Sequence, residues 1–221
     1  MQKNVTLFST ERRIPTECGL CHLSTIISHF ILASRSPRRR ELMLAAGYDF
    51  DLIPTDDAAE DKCRSGESPV DYVRRLARQK AENVAAKVAG GIVIGCDTVV
   101  VCQGEILGKP ADRDDAGRML HLLRGTKHHV VTGICLWQRP HDTVDVRHET
   151  TKLFMNDISE KEIEMYLDSN LWVGKAGGFG YQDRNDWLHV VSGSESNVVG
   201  LPLELLAGMI ETQLPTGQKN E

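Results

Sequence analysis

GIVIGCDTVVV, residues 91–101, is a near-continuous apolar run whose only charged residue is Asp97. Runs of this length and β-branched content read as strands covered on both faces. A carboxylate in such a strand is not left alone, because burying an isolated charge is strongly unfavourable. Asp97 is therefore either hydrogen-bonded to a neighbouring loop or employed as a metal ligand or catalytic base. Gln103-Gly104 next reads as a hairpin turn into Glu105-Ile106-Leu107, which stops at Gly108-Lys109-Pro110.

Upstream of this strand, Phe30 to Ala33 is a short apolar run that ends at Ser34-Arg35-Ser36-Pro37. Pro37 suits a first helical position, and Arg38 to Ala45 continue a helix that ends at Gly47. A strand running into a helix N-terminus offers backbone N–H groups to an anion, and nearby arginines bind phosphate through two parallel hydrogen bonds. Taken alone, the arginine run reads more simply as a solvated helix face, and that reading weakens when the other positive turns are counted with it. A second strand, Phe50 to Ile53, precedes an acidic loop with Asp56, Asp57, Glu60 and Asp61. Ser68, Pro69 and Asp71 then mark a helix start. At 100° per residue Val73, Leu76, Ala77, Val84 and Val88 share one side of that helix. Lys80 falls on the same apolar side, where it either snorkels to the edge or points into a site that holds negative charge.

Downstream, Asp112 and Asp115 start a helix that runs to Gly125, and a strand follows from His128 to Ile134. After a turn at Pro140, Thr143 to Phe154 alternates as a strand, and Ser159 with Glu162 caps a helix carrying Ile163, Tyr166 and Leu167. A glycine-rich loop at 174–182 leads to a short strand, His189 to Val191. A last helix follows Gly200, with Leu205, Leu206, Met209 and Ile210 as its buried face. The interleaving predicts an α/β fold with a mixed, bent sheet flanked by helices, in two lobes around a central cleft. The expected organisation is a poorly ordered extension at 1–29, one domain at 30–211 and a flexible tail at 212–221.

The 221 residues carry 26 Lys and Arg against 31 Asp and Glu, a net charge of −5. That balance argues against a nucleic-acid polymer or a membrane surface as partner. With 41% hydrophobic residues and only 5 Phe, 3 Trp and 4 Tyr, the core is aliphatic and no stacking platform for single strands is expected. Six cysteines are mostly scattered, which fits a reduced, cytoplasmic chain. Cys18-Gly-Leu-Cys21-His22 has the spacing of a haem attachment site. The segment before it has no long apolar run for export, so the pair reads as incidental. P-loop, HExxH and GxSxG patterns are absent from the sequence. What remains is positive charge beside turns, at Arg38, Arg39, Lys80, Lys109 and Lys175, around Asp97.

Six strings occur in order: LASRSPRRREL at 32–42, YVRRLARQKA at 72–81, IGCDTVV at 94–100, GKP at 108–110, GTKHHVVTG at 125–133, and GKAGGFGYQ at 174–182 followed by VVGLP at 198–202. Together they resemble the Maf family of nucleoside triphosphate pyrophosphatases. The resemblance implies hydrolysis of a nucleoside triphosphate between its α and β phosphates, with Mg2+ or Mn2+ as divalent metal, in a homodimer. It carries the catalytic aspartate, as general base, metal ligand or both, onto Asp97. Phosphate contacts carry onto Ser34, Arg38, Lys80 and Lys109. Substrate specificity falls to Arg38, Thr98 and Gln182, a combination similar to the branch acting on dTTP and UTP; the branch preferring 7-methyl-GTP and a nucleotide-binding regulator of septum formation are the alternatives. An amide at Gln182 both donates to and accepts from a pyrimidine edge. Departures are Cys96, Arg124 and Tyr181, where the family has alanine, serine and isoleucine. Ala58-Ala59 occupy the family's acidic loop position, which leaves Glu60 as the nearest carboxylate.

Overall fold

The computed structural model describes residues 29–56, 61–183 and 186–213. Glu60, the leader apart from His29, and the end of the chain beyond Gln213 lie outside them. β1 (Phe30–Ala33), α1 (Pro37–Ala45) and β2 (Phe50–Leu52) come first, then α2 (Pro69–Ala85), β3 (Gly91–Cys102) and β4 (Glu105–Leu107). They are followed by α3 (Arg113–Leu123), β5 (Lys127–Arg139), β6 (Thr143–Met155), α4 (Glu160–Asp168), β7 (Leu188–Ser192), α5 (Glu195–Val199) and α6 (Leu203–Gln213).

Local chemistry sets these boundaries. Ser36 caps α1 by accepting from the Arg39 N–H, with Pro37 in the first turn. Ser68 caps α2 through the Asp71 N–H at 3.1 Å. Asp112 caps α3 through the Asp115 N–H at 2.9 Å. Ser159 and Glu162 form a reciprocal capping box on α4. Each cap satisfies a donor the helix leaves over and is worth about 1 kcal/mol. Between β3 and β4, Gln103 and Gly104 take φ values of 50° and 84°, the left-handed pair that a two-residue hairpin needs.

The sheet runs β2-β1-β3-β5-β6-β7, with β4 on the edge of β3. β1 is parallel to both β2 and β3, and the remaining pairings are antiparallel. This is the mixed α/β sheet the sequence predicts, with several differences in detail. β5 and β6 are longer than their apolar stretches, because pairing with each other carries both out to a turn at Pro140. β2 ends one residue early, at Leu52, although the Ile53 N–H still donates to the Leu32 carbonyl. α5 is absent from the sequence pattern, because five residues are too few to show a helical period. α6 continues through Thr212 and Gln213, into the stretch read as tail, and the Thr212 hydroxyl donates to the Gly208 carbonyl at 2.7 Å.

Alternation along β3 distributes its side chains over separate cores. Ile92, Ile94 and Cys96 meet Met43 of α1 with Leu206 and Met209 of α6. On the same face, Val100 and Cys102 belong to a core with α3 and α4, built on Leu120, Leu123, Ile163 and Leu167. Val93, on the opposite face, packs with Ala77, Ala81 and Val84 of α2. That helix lies unusually close to the sheet. A Cβ on Gly95 would stand 2.2 Å from the Ala77 carbonyl oxygen, and one on Gly133 would stand 2.3 Å from that of Val73. Glycine inside a strand weakens it, and here it admits a helix backbone.

One edge of β3 is paired along its length with β5, from Gly91 opposite Arg139 to Val101 opposite His129. The other edge is shared. β1 ends with Ala33 opposite Gly95, and β4 begins with Leu107 opposite Val100. Residues 96–99 therefore have no strand partner on that side among the described residues. This gap, at the carboxyl end of β1 and beside the first turn of α1, opens the sheet between two of its cores.

Candidate active site

A cleft of about 500 Å3 lies over the gap, and Asp97 and Thr98 form part of its lining. Because alternate residues of a strand face opposite ways, Asp97 turns toward α2 while Thr98 turns toward α1. Lys80 comes from the buried side of α2, and its Nζ donates to Asp97 Oδ1 at 2.6 Å. The two side chains are 6% and 13% exposed, so this ion pair is largely withdrawn from water. Of the two readings of Lys80 in the sequence, the second holds. The lysine points into the cleft, and the close seat of α2 on Gly95 and Gly133 lets it reach Asp97.

Ser34, Arg38, Lys109 and Gln182 line the same cleft. Every site residue expected from the sequence is thus brought to one place. Ser34 directly follows β1, is 4% exposed, and accepts from the Ser36 N–H at 3.1 Å. Arg38 reaches across to the glycine loop, where its Nη2 donates to the Gly174 carbonyl at 2.9 Å. Burial and the neighbouring Arg39 charge lower the Arg38 pKa from its usual value, although a guanidinium remains charged throughout the physiological range.

Arg39 does something different from its neighbour. It is 9% exposed and spends its fork on three acceptors: the Gly200 carbonyl at 2.7 Å, the Cys96 carbonyl at 2.9 Å and Thr98 Oγ1 at 2.9 Å. The Cys96 carbonyl belongs to the segment of β3 that lacks a strand partner, so Arg39 supplies a hydrogen bond the sheet does not. Thr98 Oγ1 is in turn 3.0 Å from Thr132 Oγ1. Its hydroxyl is held by protein on two sides, which makes Thr98 a fixed part of the cleft floor. The adjoining Cys96 thiol is buried, and burial pushes its pKa up to about 11, so it is no nucleophile.

Lys175 is among the cations the sequence places beside turns, but its pairing with Asp183 is not visible there. Lys175 and Asp183 form a second buried pair at 2.6 and 2.5 Å, their side chains 9% and 7% exposed. The Tyr166 hydroxyl donates to Asp183 Oδ2 at 2.6 Å and accepts from the Gly180 N–H at 3.1 Å. Burial and the Asp183 carboxylate raise the Tyr166 pKa well above the ordinary phenol value. The available signal was the position of these residues, since Lys175 lies in the glycine loop and Asp183 directly follows Gln182. Asp56 also lines the cleft, tied to Asn83 and Lys87 of and beyond α2 at 3.0 and 2.8 Å. Apolar wall is supplied by Val100, Val130, Phe179 and Val198.

Among the described residues no three His, Cys, Asp or Glu side chains gather into a protein-only metal cage. Mg2+ does not require one, because it commonly uses one or two carboxylates and completes its shell with water and phosphate oxygens. Asp97, with one oxygen engaged by Lys80, and Asp56 on the same cleft fit that open mode. The arrangement can bind a multiply charged anion of nucleotide size against cations, with a carboxylate at its centre and an apolar wall beside it.

The family model described as "Maf-like protein" matches residues 29–213. A dTTP/UTP pyrophosphatase of Rhodopirellula baltica is 50% identical over 182 residues, covering 82% of this chain and 80% of its own. Another dTTP/UTP pyrophosphatase, from Geotalea uraniireducens, is 44% identical over 177 residues, covering 80% of this chain and 90% of its own. Among solved structures, a HAM1 protein from Coxiella burnetii aligns at 15% identity over 85% of this chain and 100% of that one, with a TM-score of 0.47.

Proposed function

The chain belongs to the Maf family, and on that premise we propose that it is a pyrophosphatase that hydrolyses dTTP and UTP to the monophosphate and pyrophosphate. The observation that carries this reading is the Lys80–Asp97 pair at the gap in the sheet, within one cleft with Ser34, Arg38 and Lys109. Ser34 and the first turn of α1 receive phosphate oxygens, and Arg38 and Lys109 offset their charge. Lys80 fixes the orientation of the Asp97 carboxylate. A water oxygen then bonds to phosphorus as the bridging bond between the α and β phosphates breaks, and the water's proton passes to Asp97. Gln182 reads the pyrimidine edge from the glycine loop, with Arg38 and Thr98 shaping the approach.

A divalent cation, Mg2+ or Mn2+, fits beside Asp97; when bound it neutralises phosphate charge and orients the phosphate oxygens. The same reading places residues 30–211 in one catalytic domain, acting as a homodimer in the cytoplasm on free nucleotides and not on nucleic-acid polymers. Among the described residues no helix is long and apolar enough to cross a membrane.

The test is pyrophosphate release from dTTP, UTP, CTP and 7-methyl-GTP with Mg2+ or Mn2+. We expect turnover fastest with dTTP and UTP and lost in Asp97→Asn. A protein that binds nucleotide without releasing pyrophosphate would instead be a nucleotide-binding regulator. Turnover fastest with 7-methyl-GTP would move the chain to the other branch of the family.

A further inference from the structure

Gln182 stands in a single tight turn, Tyr181–Asp183, whose surroundings are held at several points while Gln182 itself is exposed at the cleft. The Asp183 N–H closes the turn on the Gly180 carbonyl at 3.2 Å. Beneath it, Asp183 takes both Lys175 and the Tyr166 hydroxyl, and the same hydroxyl accepts from the Gly180 N–H. Space there is closed: a Cβ on Gly180 would lie 2.4 Å from Asp183 Oδ2 and 2.5 Å from Lys175 Nζ. Lys175 lines the cleft and is cationic, so by position alone it would serve as a phosphate ligand. Its ammonium is instead neutralised by a carboxylate as deeply buried as itself. A buried pair contributes little net stability compared with apolar residues of the same shape, but it holds both side chains in one geometry.

We propose that the Lys175–Asp183 pair, tied to α4 through Tyr166, is the positioning device that sets the Gln182 amide toward the base. Lys175 is then a positioning residue of the specificity loop and not a ligand of the phosphates. The proposal rests on the reading of Gln182 as the residue that contacts the base. Breaking the pair moves that amide and leaves Asp97 and Lys80 in place, so the damage falls on discrimination between bases and on KM more than on kcat.

The experiment compares kcat and KM for dTTP, UTP and CTP in the full-length wild type and its variants. In Asp183→Asn we expect the dTTP-to-CTP ratio of kcat/KM to fall about tenfold, with kcat for dTTP within about threefold of wild type. A second variant, Lys175→Met with Asp183→Leu, removes both charges while keeping the packing. It leaves the Tyr166 hydroxyl without its acceptor, so it is expected to fold with a Tm lowered by about 2–8 °C and to show the same loss of discrimination, and it decides the matter if Asp183→Asn does not fold. The proposal is overturned if either folded variant keeps the wild-type ratio, or if kcat collapses equally for all nucleotides, as loss of a phosphate ligand would cause. Gln182→Ala separates this from the underlying reading. If Gln182→Ala leaves the ratio unchanged, the base-contact assignment fails; if it shifts the ratio and the pair variants do not, only the present inference fails.

Discussion

At the scale of single residues, Lys80 and Asp97 depend on each other in two ways. Each is the other's partner in a nearly dry environment, and together they present the carboxylate to the cleft. Asp97→Asn is expected to retain the fold and to lower kcat by about 10²–10⁴-fold, the usual contribution of a positioned acid or base, measured as pyrophosphate release. Lys80→Met leaves a carboxylate buried without its partner, so it should lower stability by about 3 kcal/mol in urea titration as well as lower kcat. Arg39→Lys keeps the charge but loses the fork. The three acceptors are reached by three different nitrogens of the planar guanidinium, Nε, Nη1 and Nη2, which the single nitrogen of an ammonium does not reproduce. A loss of about 1–3 kcal/mol in urea titration is expected, with a fall in pyrophosphate release although the positive charge is kept.

Among the elements, α2 decides where the chemistry sits, because it alone brings Lys80 to β3. Its depth on the sheet is set by Gly95 and Gly133. Gly133→Ala would drive a methyl group into the Val73 carbonyl and the Arg74 N–H, at 2.3 and 2.9 Å. The helix must lift, with a cost of about 1–3 kcal/mol. A displacement of about 1 Å at the site costs on the order of 10²-fold in rate, so activity should fall steeply although no nucleotide contact has been touched. Much of this element level was legible in the sequence. Caps at Ser68, Asp112 and Ser159, the hairpin at Gln103-Gly104 and the long apolar β3 are all local signals, and local chemistry determines them. The predicted site residues came largely through family resemblance, since spacing alone left both Lys80 and Asp97 open to structural readings. Arg39, Lys175 and Asp183 were not legible as buried partners. Their roles depend on acceptors between 8 and 161 positions away, and no periodicity encodes that. The depth of α2 was written in the two strand glycines, but as a general hint of close backbone approach with no indication of which element approaches.

For the whole molecule, acid is the condition that tests the packing. His128 is fully buried in the core with α3 and α4, edge-on to Phe179 at 5.6 Å between ring centres. Burial pulls its pKa from 6.5 down to about 4. A histidine depressed in this way favours the unfolded chain as protons are added, so stability is complete above pH 6.5 and declines as pH falls toward about 4. The loss amounts to about 3 kcal/mol over that window. A second loss begins at the acid end of that window and continues below it. Glu67 is held down to about 2 by hydrogen bonds from Arg75, and the stability this contributes is present above 4.5 and disappears as pH falls through about 2. Tm measured from pH 8 to 4 should fall in the wild type, and His128→Leu, which cannot titrate, should flatten the slope between 6.5 and 4.

The gap beside β3 has a consequence for how the protein comes apart. One strand contributes Ile94 to the first core, Val93 to the second and Val100 to the third. None of these cores can melt without withdrawing the central strand from the other two, so the two sides of the cleft share a single cooperative transition despite the break between them. Trp137 packs beside the α2 core, and Trp172 lies in the core of α3 and α4. Their fluorescence changes in denaturant should therefore share one midpoint, and two distinct midpoints would mean that the halves unfold separately. Because β5 runs unbroken beside residues 96–99, the two sides of the cleft are joined by continuous sheet and not by a linker.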